Sequence, residues 1–450
     1  MTFPSYPVYK ESGVEWQGTV PAEWPRSALK YLADYKNGYP FKPEDWGEEG
    51  LPIIRISQLT GDTAPNYYSG ELDCRVKVGD GDLLFSWSAT IDSFIWAGGA
   101  AWLNQHIFKV STTAEADQKF LFYLIKLVAP KLADFDAHGS TMRHIKKESL
   151  SERLHVPTLV EQTQIARFLD HETARIDALI EEQQRLIELL KEKRQALVSH
   201  AVTKGLDPTV PMKDSGVEWL GEVPAHWDVK ALRRVIKKSL SNGVFKKKED
   251  FGRGVLLVNV FDVYRQSFQV DYSSLDRVDC NAAEISSYSV LPGDLFFVRS
   301  SLKYEGIAVV AVAGECSESV VYECHLICAR PDPALLNGRY GSYLFNSSNY
   351  RATMISKAKL TTMTTIDQEA ISSTLIPTPP LSEQAEISAF LDREIDKVDQ
   401  LIGEADSVCE LLKERRSALI SAAVTGKIDV RGWQPPASTQ APESAVAEAD

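Results

Sequence analysis

Two stretches of the chain carry apolar residues at a repeating spacing that sums to sevens. In the first they are Ile165, Leu169, Ile176, Leu179, Leu186, Leu190 and Leu197; in the second, Ile387, Leu391, Val398, Leu401, Val408, Leu412 and Leu419. Such spacing lays one continuous apolar stripe along a helix and is the pattern that winds helices into a coiled coil. Neither stretch contains proline, and their single internal glycine is Gly403. An unbroken helix from Glu161 to Thr203 would be roughly 64 Å long at about 1.5 Å per residue. Gly205, and Gly426 with Lys427, mark the predicted stops. The stripe is broken at matching points, by Glu172 and Glu394 near the starts and by Lys193 and Arg415 near the ends. Parallel packing would set acid beside acid. Antiparallel packing brings each acid towards the opposite base, so the expected pairs are Glu172 with Arg415 and Lys193 with Glu394.

Ahead of each helix the pattern changes. Short apolar runs appear, LPIIRIS (51–57), DLLFSW (82–87), VLLVNVFDV (255–263), DLFFVRS (294–300) and IAVVAVAG (307–314), with Gly, Pro, Asn and Asp between them. Runs of this length and punctuation predict β-strands in a domain of mixed strands and helices.

The whole arrangement occurs twice. SGVEWQGTVPAEW (12–24) returns as SGVEWLGEVPAHW (215–227), EQTQIARFLDHETARIDALI (161–180) as EQAEISAFLDREIDKVDQLI (383–402), and LLKEKRQALVSHAVT (189–203) as LLKERRSALISAAVT (411–425). Between these frames only landmarks persist: GDLLFSWSA (81–89) matches GDLFFVRSS (293–301), and GSTMRHI (139–145) matches LTTMTTI (360–366). Two copies are too few for a solenoid. The predicted fold class is therefore α+β, with two pseudo-symmetric mixed α/β domains separated by a long antiparallel two-helix coiled coil. A frame kept while the segments within it diverge suits two heads that recognise two different things.

Charge refines that picture. The net charge of −13 opposes nucleic-acid binding at first sight, because neutralising phosphates supplies most non-specific affinity for DNA. Its distribution matters more. Segment 228–253 holds nine basic residues against three acidic, whereas 383–416 holds five against ten. A DNA-facing part and a part that avoids DNA are thus separable along the chain. The six cysteines, at 74, 280, 316, 324, 328 and 409, form no CxxC pair, which points to reduced thiols in a cytoplasmic protein and to no metal site. No basic segment followed by an apolar run opens the chain and no run is long enough for a membrane helix, so neither a signal peptide nor a membrane span is expected.

Reading DNA requires Lys, Arg and small polar groups on phosphates, with Arg, Asn, Gln, Ser or Thr reaching base edges. The first half offers Arg55, Ser57, Gln58, Ser86, Ser88 and Gln105, and Ser140, Thr141, Arg143 and His144 in its second landmark. The second half offers Lys246, Lys247, Lys248, Arg265, Arg299, Ser300 and Lys303, with Lys359, Thr361, Thr362 and Thr364 at the equivalent place. Most follow predicted strands, where loops on a rigid scaffold carry binding residues. Trp16, Trp24, Trp219 and Trp227 recur with their Val-Pro neighbours and are read as packing residues rather than as base-stacking platforms.

The SGVEWxGxVPxxW segment, the GST-type turn, the PxxxEQxxIxxFLD helix opening and the LLKE[KR]RxALxSxAVT ending, in order and in duplicate, resemble the DNA-specificity subunits of type I restriction–modification enzymes. That resemblance implies two target-recognition domains (1–158 and 206–380), two spacer helices (159–205 and 381–430), and double-stranded DNA as ligand. It implies two methyltransferase subunits docked on this scaffold, with restriction/translocase subunits joining them. S-adenosylmethionine, ATP and Mg²⁺ would then serve those partners, with no cofactor on this chain and no catalytic residue in it. Residues 431–450, rich in Pro, Ala, Ser and Glu, lie outside the resemblance and are expected to be disordered.

Enzymatic rivals lack their parts. An adenine methyltransferase needs an Asn/Asp-Pro-Pro-aromatic element for a flipped base, and IPTPPLS (376–382) has neither the amide or acid before the prolines nor the aromatic after them. Gly79-Asp80-Gly81-Asp82 is not followed by helix-like sequence, and Pro331-Asp332 has no Glu-x-Lys downstream for metal-assisted hydrolysis. The remaining alternative is a coiled-coil assembly protein that does not read DNA.

Overall fold

The computed structural model describes residues 3–61, 63–136, 143–360 and 363–436. The chain folds into two compact units. One combines the chain up to Gln183 with the chain from Val408 onward; the other is Gln184–Ser407.

In the first unit a four-stranded antiparallel sheet orders Ala33–Asn37, Ile107–Thr112, Leu83–Ser86 and Asp92–Ile95. A second sheet orders Asn66–Tyr68, Leu51–Ile54, Ala101–Leu103 and Lys77–Val78, with Leu51–Ile54 and Ala101–Leu103 parallel. The second unit repeats the design. Ser241–Asn242, Leu326–Ala329, Leu295–Val298 and Val310–Val312 form the antiparallel sheet, and Phe251–Val258 runs parallel to Val320–Tyr322 in the other. Two of the sheet-forming runs, LLFS at 83–86 and LFFV at 295–298, are buried along their whole length, which explains why they read as continuous apolar stretches instead of alternating ones.

The periodic stretches are helices Leu159–Lys204 and Leu381–Val424. Each begins on the domain of its own copy and ends in the core of the other copy's domain. In the first unit Ile165, Phe168 and Leu169 share a core with Ile420, Ala423 and Val424. In the second, Val198, Ala201 and Val202 share one with Ile387, Leu391 and Ile395. Within each unit the direction is therefore antiparallel.

The ion pairs that accompany this packing are not the expected ones. Arg416 bonds Asp177 at 2.8 Å, and Arg194 bonds Asp399 at 2.8 Å. Glu172 is instead held by His171 and Arg175, and Arg415 is exposed. Glu394 pairs with Lys397 at 2.6 Å, and its carboxyl is held below its usual range first by that hydrogen bond, with Lys193 among the weaker contributors. The two acidic seam-breaking residues pair along their own helix, while Lys193 and Arg415 are exposed. The residues immediately after Ile176 and Lys193 flank the seam and reach across it. Partly exposed pairs of this kind contribute about 0.2–1 kcal/mol each, so the apolar seam supplies most of the pairing energy.

The repeated motifs prove to be joints. Trp24 and Trp227 are buried, which bears out packing over base stacking. Each lies against the glycine that stops a long helix: a Cβ on Gly426 would fall 2.4 Å from Pro21 Cδ and 3.0 Å from the Trp24 ring, and one on Gly205 would fall 3.3 Å from the Trp227 ring. Both glycines have positive φ, +72° and +78°, where side chains are strained. The motif glutamines are equally committed. Gln162 accepts from Asp117 N–H at 3.0 Å and donates to the Pro157 and Glu115 carbonyls. Gln384 accepts from Asn337 N–H at 2.7 Å and donates to the Pro379 and Leu335 carbonyls. The motif aspartates follow suit: Tyr123 donates to Asp170 and Tyr343 to Asp392, with Lys119 and Arg339 as their cations.

Beyond the second helix, Trp433 packs against Phe168 and His171, and Arg431 lies over the Tyr6 ring. The beginning of the expected disordered tail is thus ordered; its residues 437–450 lie outside the described residues. Among the described residues no helix is long and apolar enough to cross a membrane.

Candidate nucleic-acid interface

In each unit four chain segments converge beyond the carboxyl ends of the two parallel strands. In the first, Leu51–Ile54 leads into a helical turn, Ile56–Leu59, whose first N–H, on Arg55, donates to Gln58 Oε1 at 2.9 Å. Ala101–Leu103 leads into Asn104–His106, with Asn104 N–H donating to the Ile54 carbonyl at 3.0 Å. Leu83–Ser86 leads into Trp87–Thr90, and Trp87 lies 5.3 Å from the His106 ring. The second landmark comes in beside it: Ser88 bridges His144, and Ile145 N–H donates to the Trp87 carbonyl.

The second unit reproduces all four. Asn259 N–H donates to Asp262 at 2.8 Å at the start of the turn Val260–Val263. Glu323 N–H donates to the Val258 carbonyl at 3.1 Å. Ser300–Ser301 pairs with Thr364–Thr365, and Ser300 Oγ lies 2.5 Å from His325 Nδ1. The two landmarks are distant in sequence because they are the two sides of one contact.

That contact buries several residues expected at the DNA surface. Ser86 is fully buried, its hydroxyl donating to the Thr90 carbonyl at 2.6 Å. Ser88, Ser300 and Thr364 are buried too. All four hold the loops and do not face outward. Ser57 and Gln58 anchor the turn from Thr63, at 2.9 and 2.7 Å. Arg55 is half-buried, stacked 5.1 Å over Trp46 and donating to Asn66 at 2.9 Å, so its guanidinium is already oriented. Gln105 lies beside His106. Arg143 is exposed and paired with Asp134. Ser140, Thr141, Thr361 and Thr362 lie outside the described residues.

The basic residues divide similarly. Lys246 is not a free cation: its side chain is largely covered and bonds Glu284 at 2.8 Å, which raises the lysine's pKa. Arg265 pairs with Asp271 and donates to Ser274, and Lys359 pairs with Asp367 at 3.3 Å. Lys247, Lys248 and Lys303 are exposed and form no ion pair among the described residues. Arg299 is half-buried, its backbone tying His325 to Ile366. Replacing both Lys247 and Lys248 with alanine is expected to lower the slope of log K against log salt by up to about 2, one per phosphate contact. Lys246→Ala is expected to leave that slope in place. An unchanged slope in the double variant would remove these two lysines from the interface.

A cleft of about 830 Å³ opens where the four segments of the second unit meet. Its walls include Asn259, Phe261, Leu302, Lys303, Glu323 and His325. Glu323, Cys324 and His325 also bring three possible metal-ligand atoms within 4.8 Å of one another, a grouping the cysteine spacing does not reveal. Burial, then Glu323, raises the Cys324 thiol above its usual value, which opposes thiolate ligation. A search for basic and hydroxyl side chains passes over the apolar members, Phe261 and Leu302. Aligning the two copies segment by segment exposes them.

A duplicated frame that carries two different loop surfaces on matching strand ends defines a two-headed binding protein. The model of the type I restriction modification DNA specificity domain matches residues 21–190 and again 224–404. The chain belongs to this family of type I restriction–modification specificity subunits, and its two recognition domains are the two copies of that domain. It is 25% identical over 403 residues to the EcoBI specificity subunit of Escherichia coli, covering 86% of this chain and 80% of that one. It is 24% identical over 445 residues to the MjaVIII specificity subunit of Methanocaldococcus jannaschii, covering 94% and 97%. Among solved structures, a chain from work on assembly and conformational transition of the type I R-M system aligns with a TM-score of 0.67 at 15% identity, over 90% of this chain and 98% of that one. The HsdS subunit from Thermoanaerobacter tengcongensis aligns at 0.51 with 15% identity, over 91% and 98%. These two likenesses concern the fold.

Proposed function

We propose that each recognition domain reads one half of a bipartite DNA target, and that the long helices set the spacing between the halves and dock two methyltransferase subunits. The observation that carries this reading is the convergence of the same four segments in both units, on a common frame, with different residues facing out. Chemistry belongs to the partners: adenine methylation from S-adenosylmethionine on the methyltransferases, and ATP- and Mg²⁺-dependent translocation and cleavage on restriction subunits. Here the chain supplies position. Phosphate contacts from residues such as Lys247, Lys248 and Lys303 fix it on the duplex, and base-edge contacts from the loop residues choose the sequence.

The test is reconstitution. The full chain with its methyltransferase partner is expected to bind one sequence over random DNA by about 10³-fold or more and to direct methyl transfer there. The chain alone is expected to transfer none. A methyltransferase that shows the same sequence preference without this chain would overturn the assignment.

A further inference from the structure

The two heads share a frame closely enough that their outward positions can be compared one by one. The turn after the first parallel strand is closed in both by its third residue accepting from the N–H that precedes it, Gln58 to Arg55 and Asp262 to Asn259. The second residue of that turn is Ser57 in the first head and Phe261 in the second. The segment after the GDLLFSWSA and GDLFFVRSS strands supplies another such position, Thr90 in the first head and Leu302 in the second. Both differences run the same way: a hydroxyl in the first head, a large apolar side chain in the second.

Phe261 and Leu302 are each 85% exposed, and both line the cleft of the second head. Nothing in the folding of the unit calls for them, since its cores are complete without either. Two separate segments bring them to one opening, which also receives Lys303, an exposed cation without an ion pair among the described residues. Lys248 stands three positions before Phe251, another wall of the cleft. Exposed apolar groups beside a free cation, Lys303, complement a DNA major groove at a thymine, where the C5-methyl projects, while the carboxylates in the same lining, Asp276, Glu305 and Glu323, suit hydrogen-bond donors on neighbouring bases such as the cytosine amino group.

We propose that Phe261 and Leu302 are specificity-determining residues that contact thymine methyl groups in the half-site read by the second domain. The first domain, with Ser57 and Thr90 at these positions, reads its half-site through polar groups there. This rests on the two-headed DNA-reading function proposed above and names which chemistry the second head recognises.

The experiment uses the full chain complexed with its methyltransferase and a duplex carrying the methylated target. Each thymine is replaced in turn by deoxyuridine, which removes only the methyl. The wild-type complex is expected to lose roughly 3- to 10-fold in affinity at one or more positions of the second half-site, the value of one buried methyl. In the Phe261→Ser/Leu302→Thr variant that penalty should disappear, while discrimination in the first half-site and the unfolding midpoint stay as in the wild type. A second half-site with no thymine on either strand, a wild-type complex indifferent to every second-half deoxyuridine, or a penalty that persists in the variant would overturn the proposal. A wild-type complex without any sequence-specific binding would instead overturn the functional reading beneath it.

Discussion

Exchanging segment 228–375 for the corresponding segment of a related specificity subunit is expected to replace one half of the recognised sequence and leave the other half as it was. The exchange keeps the frame that makes a domain fold here. The leading hairpin, Met212–Asp214 with Glu222–Pro224, and the Trp227 that packs below it lie before the segment. Gln384, which fixes the start of the helix Leu381–Val424 to the domain, lies after it. The exchanged residues include all four segments that converge at the candidate interface of the second unit. Each mismatched base pair costs about 1–3 kcal/mol in such complexes, so a half-site of several bases switches completely. Methylation patterns of cells carrying the chimera report the result. Changes in both half-sites would show that the domains do not read independently.

The second large effect concerns stability. Trp227→Ala is expected to destabilise the second unit by about 3–5 kcal/mol, the range for emptying a fully buried large aromatic site. Trp227 shares a core with Val198, Ala201 and Val202, so its loss loosens the seat of the first long helix as well as the hairpin. Trp219, which is only partly buried against the same core, should cost less when replaced. Urea unfolding followed by circular dichroism measures both. A loss below about 1 kcal/mol for Trp227→Ala would mean that the repeated Trp-Val-Pro segment is not the joint described here.

Different parts of this molecule were legible in the sequence for different physical reasons. The long helices were, because a seven-residue repeat is a local signal and the same seam appears twice. The duplication also exposed the motif frames, although their job was not visible: Gln162, Gln384, Asp170 and Asp392 act by contacts with residues about 45 to 53 positions away. The residues expected to face DNA are the least legible part. Ser86, Ser88, Ser300 and Thr364 have the right chemistry, but a small hydroxyl with a partner nearby is readily buried, as Ser86 is against the Thr90 carbonyl and Ser300 against His325, and composition does not reveal which way a side chain points. Lys246 sits in a run of three lysines, yet Glu284 claims it while its neighbours stay free. The expected cross-helix pairs miss by one residue on the basic side and by five on the acidic side: the pairs that form, Asp177 with Arg416 and Arg194 with Asp399, flank the seam.

The central claim is that one chain carries two independent readers. Mapping N6-methyladenine across the genome of cells expressing this chain with its methyltransferase, by single-molecule sequencing, tests it most directly. Two defined half-sites separated by a fixed run of unspecified bases are expected, with the second half-site alone losing definition when Phe261 and Leu302 are replaced. A single uninterrupted motif, or methylation whose sequence is the same when this chain is absent, would contradict the account.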